Sequence, residues 1–209
     1  MKVLVLGATG GTGREILREA IAQGHSVVAL VRSRGKAEEL AGAELVEGDA
    51  RDESVLSRAL IGCDAAISSL GTPMSPFKEI TLLSTATRAL VRAMDGAKIR
   101  RLVCITGLGA GDSRGHGGFV FDTLIMPLFL RKVYADKDRQ EAIVRASDLD
   151  WVLVRPVVLN DKPAKGSVRA QTDLSNIHGG TIARADVAKF VVQQLTDDKW
   201  LRRAPLIVS

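Results

Sequence analysis

The chain has 209 residues, 46% hydrophobic and 25% charged, which is the balance of an ordinary globular protein and excludes a disordered or fibrous one. Its 29 basic and 24 acidic residues leave a net charge of +5, but the basic residues are scattered and aromatics make up only 4%, too few to stack nucleic-acid bases. The longest apolar run, Leu124 to Leu130, contains Pro127 and falls well short of the roughly 20 residues that cross a bilayer.

Short apolar runs alternate with helix-period segments. Val3 to Leu6 is apolar throughout, as a strand buried on both faces must be. Arg14 to Gln23 follows, with Ile16, Leu17, Ala20 and Ile21 on one helical face and Gly24 as a stop. Val27 to Val31 is the second strand, Lys36 to Leu40 a short helix and Glu44 to Val46 a short strand. Glu53 to Leu60 is a helix, Ala65 to Ser69 a strand, and Phe77 to Met94 a long helix introduced by Pro76. Arg101 to Thr106 is the fifth strand and Gly107 to Gly118 a loop. A helix is expected over Phe119 to Ala146, kinked or broken at Pro127. Trp151 to Arg155 is the sixth strand, and Asn160 to Gly180 is irregular, with a short strand near Val168. Asp186 to Leu195 is a helix and Leu206 to Val208 a last strand.

This alternation predicts the α/β class, a doubly wound parallel sheet with helices on both faces, in one domain over residues 1–209. The region after Arg155 is expected to form a small C-terminal substrate cap over the carboxyl ends of the strands, where such sheets bind ligands. Cys63 and Cys104 form no disulfide framework and point to a reducing compartment. The stretch Met1 to Gly7 reads as a strand and not as a signal peptide, so a cytoplasmic location is expected.

The strongest motif is Gly7-Ala8-Thr9-Gly10-Gly11-Thr12-Gly13, between a predicted strand and a predicted helix. Gly7 permits a sharp turn, Gly10 lets backbone approach a pyrophosphate, and Gly13 lets the helix pack closely on the sheet. The bare N–H groups at the helix start then hold phosphates, Gly11 among them, with Thr9 and Thr12 adding hydroxyls. The second strand ends in Arg32, Arg34 and Lys36, where a ribose-binding carboxylate would stand in an NAD site. A guanidinium pairs with a 2′-phosphate, so the cofactor expected is NADP(H), with Arg32 the leading clamp and Arg34 or Lys36 in support. Asp49-Ala50 follows the third strand, where the carboxylate can accept from the adenine amino group. Leu70-Gly71-Thr72 follows the fourth, where the dinucleotide crosses the sheet.

The glycine pattern, Leu30-Val31-Arg32, Glu47-Gly48-Asp49 and Ser69-Leu70-Gly71-Thr72 resemble the atypical short-chain dehydrogenase/reductases, as does Leu149-Asp150-Trp151 leading into Val154-Arg155-Pro156. Within them the chain is similar to NAD(P)H-binding, flavin-reductase and biliverdin-reductase-beta-like proteins. The resemblance implies a Rossmann fold, NADP(H) binding with Pro156 and Val157 at the cofactor, and hydride transfer to a planar acceptor. The biliverdin-reductase-beta-like pattern carries serine and histidine where this chain has Gly107 and Val158, departures that argue against a tetrapyrrole.

Ordinary members of the superfamily use Tyr-x-x-x-Lys; here Tyr134-Ala135-Asp136-Lys137 is one residue shorter, though i and i+3 share a helix face. Tyr134 is therefore the candidate acid and Lys137 a ribose or substrate contact. Thr106, at the end of strand five, stands where relatives place a hydroxyl near the nicotinamide. His25, His116 and His178 are scattered, and no spacing suggests a metal site or, around Ser113, a nucleophile elbow. The apolar stretch of Phe119, Val120, Phe121 and Leu124–Leu130 reads as core packing, a lid or an oligomer face. The expectation is an NADPH-dependent reductase acting on a small-molecule electron acceptor such as a flavin or quinone. No nucleic-acid or membrane partner is expected, and the chain should be a monomer or weak homo-oligomer. A non-catalytic NADP(H)-sensing regulator and a sugar-nucleotide epimerase/dehydratase are the alternatives.

Overall fold

Strands and helices alternate from the first residues on. They are β1 (Lys2–Leu6), α1 (Gly11–Ala22), β2 (Ser26–Val31), β3 (Ala43–Glu47), α2 (Glu53–Ala59), β4 (Ala65–Ser68), α3 (Leu82–Gly96) and β5 (Arg101–Ile105). A π-helical stretch, Phe121–Leu130, leads directly into α4 (Arg131–Arg145). β6 (Asp150–Pro156), β7 (Val158–Asn160), β8 (Arg169–Gln171), β9 (Thr181–Ala183), α5 (Arg184–Gln193) and β10 (Leu206–Val208) complete the order. The structure, a computed structural model, describes residues 1–36, 40–72, 79–119, 121–175 and 179–209.

The main sheet has the order β3-β2-β1-β4-β5-β6-β10-β8. Every pair in it is parallel except β10 with β8, the doubly wound arrangement that the alternation predicts. β1 shows why two helical layers are needed. Val3 and Val5 face one side with Ile16, Leu17, Val187 and Val191 of α1 and α5. Leu4 and Leu6 face the other with Leu56, Leu90 and Met94 of α2 and α3. All four β1 side chains are at most 1% exposed, so an all-apolar strand here has water on neither face.

Three expected helices differ in the structure. The helix expected from Phe77 begins at Leu82; residues 79–81 are non-helical, and 73–78 lie outside the described residues. Its start is fixed from a distance: buried Asp136 on α4 accepts from the N–H groups of Leu83 and Ser84, at 2.8 and 3.3 Å, and from the Ser84 hydroxyl at 2.5 Å. The helix expected over Phe119 to Ala146 is divided, with Pro127 inside the wider π-helical stretch, because proline lacks the N–H that a regular turn requires. Leu124, Ile125, Leu128 and Phe129 of that stretch are exposed, as is Phe119, so they are not core. Asn160 to Gly180 contains the strand expected near Val168, now β8, but the stretch is flanked by β7 and β9, which pair in a second parallel sheet. Of the expected Lys36 to Leu40 helix, Arg34–Lys36 forms a single tight turn and residues 37–39 lie outside the described ones. No helix among the described residues is long and apolar enough to cross a membrane.

Asp136 is thus a cap supplied by another helix. Replacing it with alanine should strand two buried amides and a hydroxyl and lower stability by about 2–3 kcal/mol in urea unfolding. An unchanged midpoint would remove this role.

Candidate functional site

The register of the central strands brings three chain segments out of the sheet together. Leu6 on β1 lies opposite Leu30 on β2 and Ser68 on β4. The residues that follow wall a crevice of about 280 Å³ at the carboxyl edge, which includes Thr9, Gly10, Arg32, Asp49, Ala50 and Gly71.

Two close approaches shape its floor. Gly7 has φ +78°, and a Cβ there would lie 2.3 Å from the Ser69 carbonyl oxygen. A Cβ on Gly13 would lie 2.1 Å from the Gly7 carbonyl oxygen. Neither site admits a side chain. At Gly10 the nearest atom, the Gly7 oxygen, would be 3.3 Å away, a tight contact but far milder than those at Gly7 and Gly13, and Gly10 also lines the crevice. α1 starts at Gly11 with no side chain capping its first amides and no acidic residue in its first turn. Bare amides at the positive end of a helix, reached through a side-chain-free turn, fit a pyrophosphate. Thr9 is exposed and Thr12 half-buried beside them. Arg184, which no sequence spacing flags, reaches over from α5: a Cβ on Gly11 would lie 2.9 Å from its Nε. Its Nη1 also pairs with Asp161 at 2.7 Å.

At the β2 end, Arg32 is exposed on the crevice wall. Arg34 turns away from it: Nη2 donates to the Leu45 carbonyl at 3.2 Å, and Nε lies 3.8 Å from the Glu47 carboxylate. Lys36 is likewise not part of the wall. Asp49 faces the crevice but is held by Arg51, another residue outside the sequence motifs, with Nε 3.0 Å from Oδ1 and Nη2 2.5 Å from Oδ2. Those charge-assisted hydrogen bonds hold the Asp49 carboxyl down at about 2. Leu70 and Gly71 line the crevice; Thr72, half-buried, follows them.

Further along the same edge, past β5 and β6, a second cavity of about 610 Å³ opens. Leu108, Ile125, Pro156, Val157 and Leu159 give it largely apolar walls. Two glycine pairs, Gly117-Gly118 and Gly179-Gly180, also line it, joined where the Gly179 N–H donates to the His116 carbonyl at 3.0 Å. Exposed Phe119 and Val158 extend the apolar lining outward.

Tyr134 and Lys137 both line this cavity, so the shortened spacing does bring them together. The Lys137 Nζ lies 5.1 Å from the centre of the Tyr134 ring. The tyrosine hydroxyl, however, donates to the Leu108 carbonyl at 2.8 Å, and burial pushes the phenol up to about 12. Burial also drives the Lys137 ammonium down to about 8, and that ammonium donates to the Thr106 carbonyl. Gly107 leaves room for it: a Cβ there would lie 3.0 Å from Nζ.

The Thr106 hydroxyl, expected near a nicotinamide, has another partner, donating to Glu141 Oε1 at 2.8 Å. Glu141 in turn holds Arg155, Nε to Oε1 at 2.9 Å and Nη2 to Oε2 at 2.5 Å, with both side chains at most 2% exposed. Asp112, from the loop beside the cavity, adds a 2.6 Å contact to the same Nη2. This network supports the pocket from behind. Ser113 only braces its own loop, accepting from the Gly109 N–H and donating to the Ala110 carbonyl. His25 precedes β2 at the opposite edge, and His178 lies outside the described residues, as does Val120. Among the described residues no group of three His, Cys, Asp or Glu side chains could hold a metal, and Cys63 and Cys104 are buried free thiols.

The fold and crevice are those of a dinucleotide-binding protein. The chain matches the NAD(P)H-binding family over residues 7–198 and belongs to it. It is 33% identical to a Bacillus subtilis protein described as an uncharacterized sugar epimerase, YhfK, over 98% of this chain and 92% of that one. Among solved structures, ChuY, described as an anaerobillin reductase from Escherichia coli O157:H7, superposes with a TM-score of 0.83 at 27% identity, over 100% of this chain and 97% of that one. A putative NAD-dependent epimerase/dehydratase from Bacillus halodurans reaches the same TM-score at 24% identity, over 100% of this chain and 94% of that one, and shares the fold.

Arg155→Met would leave the buried Glu141 carboxylate without its main partner, with only the Thr106 hydroxyl and a 3.7 Å approach of Arg145 remaining. The expected cost is about 3–5 kcal/mol of stability, more than for the double replacement Arg155→Met/Glu141→Leu. Equal losses in thermal and denaturant unfolding would argue against a buried charge pair.

Proposed function

We propose that this protein is an NADPH-dependent reductase that passes hydride to a small conjugated acceptor, such as a flavin or quinone, seated in the apolar cavity. The observation that carries this reading is that cavity, placed beyond the cofactor crevice on the same sheet edge and walled by apolar side chains. When bound, NADPH supplies the hydride. The amides of Gly11 to Gly13 hold its phosphates, with Arg184 adding a cation. Arg32 faces the adenosine end. Thr106, Pro156 and Val157 border the place where chemistry occurs, and Lys137 contacts ribose or acceptor.

A conjugated acceptor spreads its negative charge, so it takes hydride first and a proton from solvent after, with no strong acid required. Tyr134 suits that scheme, since its proton is directed to Leu108 and its phenol is a weaker acid than usual. The walls contribute orientation and exclude water. A sugar, which needs hydrogen-bond partners for each hydroxyl, is a poor fit to such walls, although the name of the relative YhfK favours that alternative. The raised phenol also favours a regulator that binds NADP(H) without turnover.

Incubation with NADPH and a panel of flavins and quinones separates these readings: sustained oxidation is expected, and binding without oxidation would establish the regulator instead. Tyr134→Phe should slow turnover less than about tenfold, below the 10²–10⁴ typical of a general acid. A thousandfold loss with intact cofactor affinity would make the Tyr134–Lys137 pair a working dyad.

The charge on Lys137 gives a further check. Its ammonium is present below about 8 and lost above it, so the Michaelis constant for NADPH should rise as pH climbs through that region. Lys137→Met should abolish that step in the profile. A step that survives the substitution would assign it to another group.

A further inference from the structure

We propose that Arg51 is a second determinant of the choice of NADP(H) over NAD(H): it neutralises Asp49 and joins Arg32 in receiving the 2′-phosphate. The proposal rests on the NADPH reading above and names the residues that would enforce it.

The end of β2 offers fewer cations than its sequence suggests. With Arg34 tied to Leu45 and Glu47, Arg32 is the guanidinium there that lines the crevice. Beside it stands the Asp49 carboxylate, close enough for the two charges to interact. A carboxylate at the adenosine ribose suits a free 2′-hydroxyl and repels a 2′-phosphate. Arg32 and Asp49 alone would therefore cancel and leave no net attraction for the extra phosphate.

Arg51 changes that balance. It lines the same crevice, and its side chain is 56% exposed. It engages Asp49 through Nε and Nη2, which leaves Nη1 with no partner among the described residues. With it, the three side chains carry one net positive charge at the crevice wall. Its place is preset by the turn between β3 and α2. The Arg51 N–H donates to Asp49 Oδ1 at 2.9 Å, the Asp52 N–H donates to the Asp49 carbonyl at 3.0 Å, and Asp52 then caps α2. A planar fork held in position by one carboxylate on the crevice wall, with one nitrogen left to donate, is well suited to a phosphate dianion. An exposed pair of this kind contributes little to folding, so its removal isolates the binding effect.

Calorimetric dissociation constants for NADP⁺ and NAD⁺ test this with wild type, Arg51→Ala and Arg51→Ala/Asp49→Asn. Wild type should prefer NADP⁺. Arg51→Ala should weaken NADP⁺ by at least about tenfold, the scale of one charge-assisted hydrogen bond, and change NAD⁺ less than about threefold. The double variant restores the net positive charge and should recover most of the lost NADP⁺ affinity. If Arg51→Ala keeps the wild-type preference, or if the double variant binds NADP⁺ no better than the single one, the proposal is wrong while the NADPH reading stands. If wild type binds both cofactors alike, both fall.

Discussion

The site depends on one steric constraint, the crossing of backbone on backbone where β1 gives way to α1. The Gly7 oxygen sits where a Gly13 side chain would begin, and the Ser69 oxygen where a Gly7 side chain would begin. Because nothing intervenes, α1 descends directly onto the β1 edge with no side chain capping its first amides. The positive end of the helix then faces a crevice and not a side-chain cap. A side chain at either crossing would force strand and helix apart, and the first amides of α1 would move away from the crevice with them.

The sheet edge divides by chemistry. On the β2–β3 side the crevice wall is charged, with Arg32, Asp49 and Arg51 exposed to water. On the β5–β6 side the cavity is apolar, and the charges that support it are withdrawn behind it. Arg155 and Glu141 are buried as a pair there, and Thr106 and Asp112 complete their hydrogen bonds. A buried pair of this kind adds little net stability, but it is costly to break, so it fixes the loop and strand ends in one arrangement. On the proposed reading, the phosphate end selects by charge and the acceptor end by shape and dryness.

Much of this was legible in the residues. An apolar β1 with no alternation reads as a strand buried on both faces, and the glycine spacing after it as a sharp strand-to-helix turn. Following strand ends alone places Asp49, Ala50, Leu70 and Gly71 at the crevice. What was not legible comes from partners distant in sequence. Nothing near Leu82 says that Asp136 caps it, and nothing near Gly11 says that Arg184 covers it. Arg34 reads from the sequence as a support to Arg32, and only the neighbouring β3 shows that Leu45 and Glu47 hold it instead. The Thr106 hydroxyl was assigned by position, and only the packing of α4 reveals Glu141 beneath it. β7 and β9 are three residues each, too short to carry a periodicity.

Gly10 tests the central claim most directly, because it lines the crevice and a side chain there would collide with the protein far less than one at Gly7 or Gly13. Calorimetric titration of Gly10→Val with NADPH, alongside circular dichroism and thermal unfolding, separates binding from folding. The account predicts a folded protein with wild-type helix content and no measurable NADPH binding. A folded Gly10→Val protein that binds NADPH as wild type does would show that the phosphates do not lie on the bare amides of α1.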